Sequence, residues 1–230
     1  VLVLHGLTAT VATVRPLAEA FADAGFSVEA PLLPGHGTEP DDLARTGFAD
    51  WLDCARGAYE SLRARSDHVV VAGHSLGGTL ALALALEQAD LDGLVLVNPF
   101  AEPPAPAASQ MLQAAVRAGR TMLPAIAGDV AKPGVVEPAY DAVPVTALLS
   151  LFEQVTLLAP RLAAITCPVL LVTSRVDRVV PPSTGDFLAA TLSGPVERVV
   201  LEHSRHVATL DLDAGEIEER AIAFAQKCCA

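Results

Sequence analysis

The sequence predicts an α/β fold in which a mostly parallel sheet carries helices on both faces and is interrupted by a small inserted cap. Three observations lead there. Short runs rich in Val and Leu at 1–4, 69–72, 94–97, 169–172 and 196–201 alternate with stretches of helical spacing. Parallel strands buried on both faces read as nearly unbroken apolar runs of this kind. One run passes through GHSLGG at 73–78 directly into a helix-forming stretch. The rhythm then fails from 101 to 160, where Ala- and Leu-rich pieces alternate with Pro; eight of the chain's 17 prolines lie between Pro99 and Pro144. So long a strandless stretch points to an insertion rather than a loop. The expected division is a core of 1–100 and 161–230, with 101–160 as a cap over the cleft.

Val1 to Leu4 makes the first strand, and His5-Gly6-Leu7 turns away from it. Val14, Leu17, Ala18 and Phe21 recur at helical spacing until Gly25 closes the helix. Phe26 to Ala30 reads as the next strand and leads into the loop PLLPGHGTEPDD. A helix over about 47–65 aligns Trp51, Ala58 and Leu62. After the turn at 73–78, Thr79 to Leu86 are mostly strong helix formers. Leu94 to Val97 is a strand that stops at Asn98-Pro99. Beyond the insertion come a strand at Pro168–Thr173, a helix at 183–192, a last strand at Val196–Leu201 and a closing helix over about 213–226. Ligands bind such sheets beyond the C-terminal strand ends, where His5, Ser75 and Asn98 fall.

A length of 230 residues suits one domain with an insertion, and 52% apolar against 18% charged residues means a large buried core. The net charge of −12 argues against nucleic acid and anionic membrane surfaces as partners. No apolar run reaches the roughly 18 residues that a bilayer requires, so no integral membrane association is expected. Cys54, Cys167, Cys228 and Cys229 show neither metal-ligand spacing nor a disulfide framework, which fits a reducing, cytoplasmic location. Val1 lies within a strand-like run, so the natural chain is expected to begin earlier, and any removed signal peptide would lie there.

Chemistry centres on Ser75. A serine between Gly73 and Gly77, at the junction of a strand and a helix, is a nucleophile elbow: the backbone is strained so that the hydroxyl enters the cleft. The serine needs a base, and the base needs an acid that fixes its tautomer. Asp177 is the first acid after the penultimate strand. His203 and His206 both follow the last strand, and spacing alone does not separate them. The N–H groups of Leu76, at the helix start, and Leu7, after Gly6, are the expected oxyanion donors. His5, His36 and His74 are expected to shape loops. Nothing in this constellation asks for a metal or an organic cofactor.

With these residues in place, the chain resembles the bacterial monoacylglycerol lipase and carboxylesterase group of the α/β-hydrolases. The resemblance rests on VLVLHGLTAT, LLPGHGT, GHSLGGTL, KPGVVEPAYDAVPVTALLSL, CPVLLVTSRVDRVVPP and HSRHVATLD, and it spans nearly the whole chain. It implies that His206, the histidine before Val-Ala-Thr-Leu-Asp, is the base, that Asp177 is the acid, and that Leu7 and Leu76 donate to the oxyanion. It matches Glu137 to a glutamate that faces the glycerol moiety and Ile126 to an apolar wall; Asn98, at a strand end, completes the expected substrate contacts. The group commonly carries an aromatic at Leu7, a methionine at Leu76, and further strands upstream, which this chain lacks. The implied reaction is hydrolysis of lipid-like esters, with monoacylglycerols as the implied substrates, through an acyl-enzyme. General carboxylester, thioester or amide hydrolysis, and a non-catalytic binding protein, are the alternatives. The expected partner is a small-molecule ester, with a homodimer left open.

Overall fold

The computed structural model describes the whole sequence, Val1–Ala230. Its strands are β1 (Leu2–Leu4), β2 (Val70–His74), β3 (Gly93–Val97), β4 (Met122–Pro124), β5 (Ala142–Pro144), β6 (Val169–Ser174) and β7 (Val196–Leu201). Its helices are α1 (Arg15–Asp23), α2 (Pro40–Leu43), α3 (Phe48–Arg63), α4 (Leu76–Glu87), α5 (Pro106–Arg117), α6 (Val145–Leu158), α7 (Ser183–Thr191) and α8 (Ala214–Cys228). Five strands form one parallel sheet in the order β1-β2-β3-β6-β7. Successive strand residues face opposite sides. Leu4, Val71, Leu96 and Leu171 therefore join a large core with α3, α4 and α6, while Val3, Ala72, Val95 and Val172 join a smaller one with α1 and α8.

The central helix α4 is apolar all round, as a helix enclosed on every side must be. It packs on β1, β2 and β3 and against α3 and α6, and Leu76 through Leu84 are all buried. Its start, and so the position of Ser75, is thereby fixed from several directions.

Three features differ from the sequence expectation. Phe26–Ala30 is reduced to a single bridge, Leu2 with Glu29, supported by Val3 N–H to Glu29 O and Glu29 N–H to Val1 O. Pro31 follows at once and has no N–H with which to extend the ladder. The 101–160 stretch is not strandless, because β4 and β5 pair as a short antiparallel ribbon. Finally, Val145–Ala164 is a 20-residue stretch of mean hydropathy 1.2, long and apolar enough to span a bilayer by length and composition. It is not one regular helix. The α-helix ends at Leu158, and a 3-10 turn containing Pro160 continues to Ala164. Ala147, Leu151, Val155 and Leu158 on α6 pack into the core with α3 and α4.

The excursion from 101 to 160 is fastened on two sides of the sheet's C-terminal edge. The Tyr140 hydroxyl donates to Gly35 O at 3.0 Å and accepts from Thr38 N–H at 2.8 Å, while Tyr140 N–H donates to Thr8 O. On the other side, Asp211 Oδ2 and Oδ1 accept the N–H groups of Ala131 and Lys132, each at 2.7 Å.

Candidate active site

Ser75 sits between β2 and α4 with φ +53° and ψ −116°, in a region that side-chain-bearing residues rarely occupy. The surrounding glycines are there for room. A Cβ on Gly73 would collide with the Gly77 carbonyl, and one on Gly77 with the Leu4 carbonyl. The strand and helix thus approach backbone to backbone, and the serine is driven up into the cleft.

His206 lies on the loop after β7 and Asp177 on the loop after β6. His206 Nδ1–H donates to Asp177 Oδ2 at 2.8 Å, with only 7% and 2% of the two side chains exposed. Asp177 Oδ1 accepts the Val179 and Val180 N–H groups at 2.7 and 2.8 Å, which fixes the rotation of the carboxylate. With its proton on Nδ1, the His206 imidazole leaves Nε2 as an acceptor. Ser75 and His206 line the same cavity without a direct hydrogen bond between them, a contact that often tightens only when substrate binds. His203 lies outside this arrangement: it is exposed, and its N–H donates to Asp213.

The cavity has a volume of about 250 Å³. Its floor is Leu7, Ser75 and His206; its far wall comes from the excursion, with Leu123, Val143, Leu151 and Phe152. Leu7 is in the lining, beside Thr8 at φ +65°. Leu76 occupies the first turn of α4, where N–H groups have no intrahelical acceptor. Glu137 and Ile126 also line the cavity, Ile126 at an open edge with 66% exposure. Glu137 is the single carboxylate there. Burial raises its pKa from the usual glutamate value, and the 2.6 Å hydrogen bond that Oε2 accepts from Gly128 N–H partly offsets this.

Asn98, expected to meet substrate, does not reach the cavity. It is 2% exposed at φ +43°, and its amide is used up inside the protein. Oδ1 accepts Ser174 N–H at 2.7 Å, and Nδ2 donates to Ser174 Oγ at 2.9 Å and His206 O at 2.8 Å. It ties the ends of β3 and β6 to the histidine loop. His74 does similar work, donating from Nε2–H to His206 O at 2.8 Å. Burial first, and then the neighbouring His206, lower its pKa to about 3, so it is neutral there. His5 is held neutral as well, with burial and then His36 lowering its pKa to about 3; it accepts Leu33 N–H and donates to Gly6 O, bracing the turn that presents Leu7. The sequence placed these histidines in turns, but Leu33 and His206, the partners of His5 Nε2 and His74 Nε2, lie too far along the chain to be read from it.

The family model described as serine aminopeptidase, S33 (Hydrolase_4) matches residues 1–213. The chain is 39% identical to a thermostable monoacylglycerol lipase of Bacillus sp. (strain H-257), over 99% of this chain and 90% of that protein. Among solved structures, one reported with the metagenome-derived lipolytic enzymes LipS and LipT superposes with a TM-score of 0.93. It is 36% identical and covers 98% of this chain and 92% of that one. The monoacylglycerol lipase of Paleococcus ferrophilus superposes with a TM-score of 0.81 at 20% identity, covering 99% and 94%, a likeness of fold.

Proposed function

The chain belongs to the serine aminopeptidase S33 (Hydrolase_4) family of α/β-hydrolases, and from that premise we propose that it cleaves monoacylglycerols through an acyl-enzyme on Ser75. It is a carboxylic ester hydrolase, as its lipase and esterase relatives indicate. The observation that carries the narrower reading is Glu137: one carboxylate in a largely apolar cavity that also holds Ser75 and His206. An acyl chain suits the apolar wall, and a glycerol carrying two free hydroxyls suits the acid.

In this reading His206 Nε2 takes the Ser75 proton as Oγ attacks the ester carbonyl. The oxyanion lies against the N–H groups of Leu7 and Leu76, and Asp177 stabilises the imidazolium. His206 then returns the proton to the departing alkoxide, releasing glycerol. Water, deprotonated by the same nitrogen, attacks the acyl-enzyme and frees the fatty acid and Ser75. The 101–160 excursion acts as the cap that closes the acyl site.

The test is pre-steady-state hydrolysis of a nitrophenyl ester, together with steady-state hydrolysis of mono-, di- and triacylglycerols of one fatty acid and of an amino-acid nitroanilide. A burst equal to the enzyme concentration, abolished in Ser75→Ala with turnover reduced by about 10⁶, is expected. So is a preference for the monoglyceride. A faster triglyceride or nitroanilide would replace the substrate assignment; an active Ser75→Ala enzyme would end the acyl-enzyme reading.

A further inference from the structure

A hydrogen bond of 2.8 Å between His206 and Asp177 joins two loops that follow different strands. Its survival requires both loops to stay in register within a fraction of an ångström. Backbone groups next to the two catalytic side chains are held by a third segment, the 128–132 piece of the excursion. Asp129, 6% exposed, accepts through one oxygen, Oδ2, from two donors: Arg178 N–H at 3.1 Å, beside Asp177, and His206 N–H at 3.2 Å. Its own carbonyl accepts Val207 N–H at 3.2 Å.

From this geometry we infer that Asp129 is a positioning residue for catalysis, a carboxylate contributed by the excursion that sets the acid and base loops in register with each other. The inference rests on the Ser75, His206 and Asp177 assignment above. His206 is then held at both of its peptide groups. From the core, His74 and Asn98 take its carbonyl; from the excursion, Asp129 takes its N–H. Hydrogen bonds from N–H groups to a buried carboxylate are short-range and directional, and stronger than those between neutral groups. Apolar packing of the excursion could hold the loops near each other but could not fix their relative height. A separate carboxylate, Asp211, braces the segment that carries Asp129. It lies on the core side and accepts from Ala131 and Lys132, so that Asp129 is itself held in place, and its Oδ2 also accepts Arg205 N–H at 2.8 Å in the histidine loop.

The experiment compares Asp129→Ala, Asp129→Asn and Asp129→Glu with the parent enzyme on a short nitrophenyl ester. Tyr140→Phe, which loosens the other attachment of the excursion without touching either catalytic loop, and Ser75→Ala serve as controls. Rates of Ser75 labelling by a fluorophosphonate are read alongside, and thermal unfolding places every assay at least about ten degrees below the transition. Misplacement by about an ångström can lower a rate by about 10²-fold, so Asp129→Ala is expected to lose 10- to 100-fold in kcat and in labelling rate, with KM changed less than about twofold. One amide oxygen can replace Oδ2 for both donors, so Asp129→Asn is expected to recover most of that loss, and Tyr140→Phe to keep kcat within about twofold. Should Asp129→Ala fail to fold, Asp129→Glu decides, because it keeps the charge but displaces the acceptor; it is expected to lower kcat at unchanged KM.

A parent-like kcat in Asp129→Ala, or in Asp129→Glu where that variant decides, overturns the inference. Equal losses in Asp129→Ala and Tyr140→Phe overturn it too, since the residue would then act only by holding down the excursion. An Asp129→Asn enzyme no better than the alanine variant also counts against it. Activity surviving in Ser75→Ala would instead remove the catalytic assignment on which the inference stands.

Discussion

Glu137 divides its carboxylate between the protein and the cavity. Oε2 accepts the Gly128 N–H and so holds the loop that carries Asp129; in the proposed reading Oε1 is the oxygen that meets a substrate hydroxyl. A charged hydrogen bond is worth about 1.5–3 kcal/mol, which corresponds to roughly tenfold or more in affinity. Glu137→Gln should therefore raise KM for a monoglyceride about tenfold and leave a nitrophenyl ester of the same acid nearly untouched. A pH series adds a second signature. Burial raises the Glu137 pKa, so the charged form is complete only above that raised value and is lost as pH falls through it. KM for the monoglyceride should climb on acidification at a higher pH than an ordinary glutamate would allow, and KM for the nitrophenyl ester should not follow. Equal changes on both substrates would mean that the carboxylate serves only the Gly128 loop.

At the scale of elements, the elbow is the part that tolerates least. A Cβ on Gly77 would run into Leu4 O, which is backbone of β1 and cannot swing aside. Gly77→Ala should lower the unfolding temperature by several degrees and activity by more than tenfold, and crystallography or near-UV circular dichroism should show β1 and α4 pushed apart. An alanine variant with parent activity would mean that the strand and helix can separate without cost. Such elements were legible in the chain because their signals are local: an apolar run, two glycines around a serine, an aspartate after a late strand. Between His203 and His206 the spacing did not choose, and only the family resemblance pointed to His206. What was not legible depends on partners far apart in sequence. β4 and β5 pair Met122 with Pro144 and Leu123 with Val143, and neither three-residue piece has a strand signature alone. Asn98 stood at a strand end like Ser75, and nothing in the sequence says that its amide turns inward to Ser174 and His206. Asp129 resembles any acidic loop residue until the N–H groups of residues 178 and 206 are seen to meet on it. The run Val145–Ala164 reaches the length and mean hydropathy of a membrane span only when the helix and the 3-10 turn after it are counted together, which a search for unbroken apolar residues passes over.

For the molecule as a whole, the buried histidines set the acid limit. His5 and His74 have pKa values lowered to about 3, and that of His36 is lowered as well, in each case first by burial. In the unfolded chain they titrate near 6.5, so below that pH the unfolded state binds more protons than the folded one. Stability should be level above about pH 6.5 and fall as pH drops from there toward 3. Each unit of such a shift corresponds to about 1.4 kcal/mol, so the loss by pH 4.5 is on the order of 5 kcal/mol, a large share of the stability of an ordinary domain. Urea unfolding at pH 7, 5.5 and 4.5 reads this directly. Midpoints that do not move would show that these rings are protonated in the folded protein.

The two fastenings of the excursion have one more result. Between them, Pro133, Gly134 and Val136 are exposed, Val136 by 83%, while the neighbouring residues 131–132 and 140 are bonded to opposite parts of the core. That short bridge adds covalent continuity and little else. Severed there, the polypeptide becomes two fragments whose shared seam includes the ladders of β3 against β6 and of β4 against β5. One fragment carries Leu7 and Ser75, and the other carries Glu137, Asp177 and His206. The proposed nucleophile and base would then belong to separate molecules, and turnover would become a direct count of how many halves have found each other.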